Sequence, residues 1–126
     1  MSSSAKIQNQ KFSRVGTFAD LLVRYIRERR DGDAPAVYNA ARIDRRTYSS
    51  IVSNPFRAVS KRTAIQFAVA LQLKRSETDR LLLAAGYALS PAIPEDVVFA
   101  TFISRGEYDF FKINERLDSL GMRVVL

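Results

Sequence analysis

Runs of apolar residues at helical spacing, each opened by a capping residue and closed by Gly, Asp or Pro, constrain this chain to a set of short helices. The first is the clearest. Thr17-Phe18-Ala19-Asp20 has the form of a capping box, with Asp20 in place of the usual Glu. Phe18, Leu21, Leu22, Tyr25 and Ile26 then fall at i, i+3, i+4, i+7 and i+8 and make one apolar face. Asp31-Gly32-Asp33 stops that helix. Pro35 suits the first turn of a second, reaching about Ala41, with Val37, Tyr38 and Ala41 toward the core. Ile43 plugs the following turn. Asp44 is a natural N-cap for a third helix over 45–53, which buries Tyr48, Ile51 and Val52. Asn54-Pro55 ends it. Ser60 caps a fourth, with Ala64, Ile65, Phe67, Ala68 and Leu71 inward, and Ser76-Glu77-Thr78-Asp79 is expected to cap a fifth that carries Leu81, Leu82 and Ala85 as far as Gly86.

Residues 87–93 have the composition of a linker. Pro94-Glu95-Asp96 then opens a sixth helix, with proline first and acids in the opening turn. Val98, Phe99, Phe102 and Ile103 supply its apolar face. A seventh, over about 108–120, presents Phe110, Ile113, Asn114, Leu117 and Leu120, and Gly121 ends it before the apolar tail Val124-Val125-Leu126. No run alternates in the manner of a strand. The fold class expected is all-α: a flexible basic arm over 1–16, a five-helix domain over 17–86, and a helical C-terminal extension over 87–126. The extension either packs back onto the first and fifth helices or pairs with a second copy.

Composition excludes whole classes of chemistry. There is no Cys and no His, so there is no thiol nucleophile, no Ser-His-Asp triad and no ordinary zinc set. The five glycines are isolated, which removes the phosphate-cradling loops. No enzyme activity, metal or cofactor is expected. No apolar stretch approaches the ~20 residues that span a bilayer, so neither a membrane nor any location but the cytoplasm is expected.

The formal net charge of +7 is unevenly spread. Residues 34–62 hold six bases against Asp44 alone, whereas 87–126 carry a net −2. A block this lopsided points to a polyanion partner. Within it, the side of the third helix opposite Tyr48, Ile51 and Val52 reads Arg45, Arg46, Ser49, Ser50 and Ser53. Arginine can bond guanine O6 and N7 together, and serine lets a helix approach base edges closely. Arg57, Lys61 and Arg62 gather near the start of the fourth helix, whose unpaired amides suit a phosphate. The basic arm (Lys6, Lys11, Arg14) either is a plain leader or follows a phosphate backbone.

A capped helix, two short helices across a tight turn, a loop and two further helices, with the stretch DAPAVYNAARIDRRTYSSIVSNPFRAVSKRTAIQFAVALQL, resemble the phage-repressor-like (Xre-type, lambda-repressor-like) helix-turn-helix domain over residues 17–86. The resemblance implies that the third helix reads bases through its first, second and sixth residues, here Arg45, Arg46 and Ser50, with Ser49 beside them. It makes Asn54, Arg57, Lys61 and Arg62 phosphate contacts. It further implies a transcriptional regulator of bacterial or phage type, binding double-stranded DNA as a homodimer. Three positions depart from the family pattern: Tyr38 where a small residue is usual, Arg42 where glycine is usual, and Ala34-Pro35 where a glutamine often stands. Helix-turn-helix domains also serve as adaptors, so a protein or RNA partner is the alternative.

Overall fold

Ten residues rich in alanine and aliphatic side chains, Lys61–Ala70, form the helix around which the others assemble. Every position from Ala64 to Leu71 is buried, and the alanines let neighbouring backbones approach closely. The computed structural model describes residues 16–125. Those residues form seven helices and no strand: α1 (Phe18–Arg30), α2 (Ala34–Ala40), α3 (Arg45–Ser53), α4 (Lys61–Ala70), α5 (Arg75–Ala84), α6 (Pro94–Ser104) and α7 (Phe110–Ser119). None is long and apolar enough to cross a membrane. The expected amino-terminal arm lies outside the described residues apart from Gly16.

Local chemistry sets most helix starts. The Thr17 hydroxyl accepts from the Asp20 amide, the Asp33 carboxylate from Ala36, Asp44 from Thr47, and Ser60 from Thr63. At α5 the expected cap is displaced. The helix begins at Arg75, and the Glu77 carboxylate accepts the Lys74 amide at 2.9 Å, so the reciprocal half of a capping box does the work expected of Ser76. At α7, Asp109 caps by accepting from the Phe111 amide.

Around α4 sit α2 and α5, with α1 lying across α2, α3 and α5. Phe18, Leu22, Tyr25, Val37, Ile51, Phe67, Leu81 and Leu82 make the centre of the core. Phe67 meets Phe18 and Tyr48, each at 6.3 Å between ring centroids, and Tyr48 in turn lies 5.2 Å from Tyr38. A tyrosine at position 38 thus fills the contact between α2 and α3 with ring packing. Burial, helped by the neighbouring Tyr38, pushes the Tyr48 phenol above its ordinary range.

The C-terminal extension shares this core. Val98, Phe99, Ile103, Phe110, Ile113, Leu117 and Val125 are buried in the same cluster. α6 packs on α5 and α7 packs on α6, while the Tyr108 hydroxyl donates to the Leu73 carbonyl at 2.7 Å. Residues 87–93 are fastened too: the Tyr87 amide donates to Leu82, and the Ser90 amide to the Asp96 carboxylate. Of the apolar positions expected inward, Phe102 is only partly buried and Leu120 is 44% exposed, because α7 has ended by then.

The turn between α2 and α3 is pinned from inside and outside. Gln66, buried on α4, donates to the Ala41 carbonyl at 2.8 Å. Arg42 is left-handed at φ 61°, a conformation that costs a non-glycine residue on the order of 1 kcal/mol. Its guanidinium donates to the Val125 carbonyl at 3.0 Å and lies over the Phe110 ring. Asn114 holds the same Val125 from both sides, donating to its carbonyl and accepting its amide. Glycine could take the backbone shape at position 42 but could not tie the chain end to the turn.

Gln66→Leu should therefore destabilise the protein by about 1–3 kcal/mol, since it leaves the buried Ala41 carbonyl without a donor. Urea unfolding measures this directly. A variant as stable as wild type would mean that the turn does not need the bond.

Candidate nucleic-acid interface

α3 owes its placement to one buried face and one strong cap. Ile51 is fully buried, with Tyr48 and Val52 partly so, which turns the remaining positions to solvent. At its start the Asp44 carboxylate accepts the Thr47 amide at 2.6 Å. That bond, and behind it the charge of Arg46, holds the Asp44 carboxyl below its ordinary value. The carboxylate also offsets two arginines seated where the helix dipole disfavours cations.

The residues expected to contact nucleic acid divide into two groups. Arg45, Arg46, Ser49, Asn54 and Arg57 are exposed, and Ser50 is half-buried at their edge. Among the described residues, the side chains of Arg45, Arg46 and Arg57 have no ion-pair or hydrogen-bond partner within the chain. No carboxylate lies within α3 itself. The result is one short helix with cations at its start, small hydroxyls along its face, and a further cation in the loop beyond.

Lys61 and Arg62 belong to the second group. The Lys61 ammonium sits 2.5 Å from the Asp96 carboxylate, which is 4% exposed. Arg62 donates to Glu95 at 2.6 Å and to the Arg123 carbonyl, with its guanidinium over the Phe99 ring. The acids in the first turn of α6 are the reason: the fold brings that turn against the start of α4, and both bases are engaged there. Their positive charge is used inside the chain to hold the extension.

Phe56 is the residue at this face that sequence reasoning passes over. It is 67% exposed in the loop between Asn54 and Arg57. Only its position inside an Asn-Pro turn, outside any apolar periodicity, could have marked it. Among the described residues no cluster of Asp and Glu is arranged to hold a metal ion. Comparisons with protein-family models, curated proteins and solved structures give no match.

Two outcomes follow for stability. Asp96→Ala should cost about 2–3 kcal/mol, a figure set below that for a fully buried pair because Lys61 retains some solvent, while Arg45→Ala and Arg46→Ala should stay within about 0.5 kcal/mol of wild type. Chemical denaturation of the three variants checks the division. Equal losses would show that the α3 arginines are structural. The Asp44 cap adds a pH signature. Its folded carboxyl is depressed, so its stabilisation is present above the unfolded value, ~3.9, and disappears as pH falls through the folded value. Asp44→Ala should thus melt below wild type at neutral pH, with the gap closing in acid. A gap independent of pH would contradict the role of the charge.

Proposed function

We propose that the chain is a sequence-specific DNA-binding transcriptional regulator of bacterial or phage type, with a helix-turn-helix unit formed by α2 and α3 and with α3 entering the major groove. The observation that carries this reading is the exposed face of α3. Among the described residues its two arginines make no hydrogen bond or ion pair within the chain, while the neighbouring cations of α4 are engaged. A surface kept only for solubility gains nothing from two cations at the positive end of a helix dipole. A guanine edge offers both of them acceptors, and a serine-lined face permits the close approach that bidentate contact needs.

In this reading Arg45 and Arg46 read bases, with Ser49 and Ser50 at the groove floor. Asn54 and Arg57 meet phosphates, and Phe56 lies against the sugar edge or a thymine methyl. Lys61 and Arg62 act as scaffold, because contact with phosphate would require them to leave Asp96 and Glu95. The net negative charge of the extension suits a position away from the duplex. Nine residues of helix span roughly 14 Å, about four base pairs. One such unit specifies little, so the regulator acts as a homodimer on a two-fold related site. A cytoplasmic location goes with this role.

Retention of a randomised duplex library, followed by sequencing, tests it. A short enriched motif is expected, and Arg45→Ala or Arg46→Ala should lose about 1–3 kcal/mol on the enriched site and relax preference at one position. Retention without enrichment, or variants that bind the site like wild type, would end the groove assignment.

A further inference from the structure

The groove between α1 and α5 is built from a different sorting of arginines. α1 carries four of them. Two are used internally: Arg29 pairs with Glu77, and Arg30 donates to the Arg29 and Ala70 carbonyls. The other two, Arg24 and Arg27, line the groove, and Arg80 joins them from α5. All three are exposed and have no hydrogen-bond or ion-pair partner among the described residues. Between them lie Asp20, Leu21, Leu83 and Ala84, around a space of about 950 Å³, so that three cations and one carboxylate line the groove. Leu83 is 72% exposed, further out than any other large apolar side chain described.

We infer that this groove is a docking site for an acidic, amphipathic segment of a partner protein. The charge selects the occupant. A second copy seated here would set one net positive groove, three arginines to one carboxylate, against another, and the chain's own amino-terminal segment, with Lys6, Lys11 and Arg14, is likewise basic. The apolar residues then favour protein over nucleic acid: a row of phosphates offers Leu83 little apolar surface, whereas a helix with leucines on one face and carboxylates flanking them satisfies both features. The volume matches the space that a few side chains of a bound segment fill. Arginine is also among the residues that interfaces favour at their anchors. The inference goes beyond the reading of α3 and does not depend on it.

The probe is a fluorescein-labelled peptide of about 15 residues with leucines at i, i+3, i+4 and i+7 and glutamates elsewhere, titrated into the full chain by fluorescence anisotropy. A scrambled peptide of the same composition is the comparison. Wild type should bind the ordered peptide at least about tenfold more tightly than the scrambled one. Leu83→Ser, which keeps the net charge, should weaken binding by about tenfold. Arg24→Ala with Arg80→Ala should weaken it at least as much, whereas Arg105→Ala with Arg116→Ala, an equal change of charge just past α6 and on α7, should leave it within about twofold. Thermal melts confirm that each variant is folded. Equal binding of the scrambled peptide, equal losses from the two arginine pairs, or an unaffected Leu83→Ser would each overturn the proposal. So would a rise in affinity on deleting residues 2–14, which would give the groove to the chain's own leader. Duplex binding by Leu83→Ser should match wild type, and a loss there would make the groove a nucleic-acid surface instead.

Discussion

Two carboxylates in the opening turn of α6 decide where this basic molecule keeps its positive charge. A carboxylate as buried as Asp96 stands only with a partner, and Lys61 with the Ser90 amide supplies it. Glu95 takes Arg62, whose guanidinium then covers Phe99. The pairing fastens the extension to the start of the central helix and fixes the line on which α7 and the chain end return to the α2–α3 turn. It also withdraws two cations of the 34–62 block from the surface; with Arg42 turned to the Val125 carbonyl, Arg45, Arg46 and Arg57 are left without an internal partner among the described residues. Scaffold and candidate interface are two consequences of one electrostatic arrangement.

The turn itself shows how a local irregularity becomes part of that scaffold. Arg42 accepts a left-handed backbone, and its side chain reaches Val125 and Phe110, elements more than sixty residues away in the chain. Gln66 approaches from the other side. The orientation of α3 is thereby set by contacts on both faces of a short connection. The proposed groove contact requires α3 to be held in this way, because a contact to a base edge is worth little if the helix carrying it can pivot.

What was legible in the sequence was whatever neighbouring residues determine. Asp44 and Ser60 cap the helices they precede because an N-cap bond closes over three residues, and the i, i+3, i+4 spacing of Phe18, Leu21 and Leu22 fixes the buried side of α1. At α5 the same local rule points to Ser76–Asp79, whereas the capping bond forms two residues earlier, from the Lys74 amide to the Glu77 carboxylate. Long-range pairings left no local trace. Nothing near Lys61 or Arg62 announces acids 35 and 33 residues onward, so their role as scaffold was hidden while their charge was plain. The groove arginines were hidden in the opposite way. Arg24 and Arg27 sit in a stretch whose signs cancel along the chain, and Arg80, which joins them in the groove, lies more than fifty residues onward.

The central claim is that the α3 face, and not the extension, meets a duplex. Amide chemical shifts of the isotope-labelled full chain, followed while the enriched duplex is added, test it most directly. The account predicts changes concentrated in residues 45–57, with α6 and α7 almost still. Changes centred on 94–119, or none at α3, would contradict it.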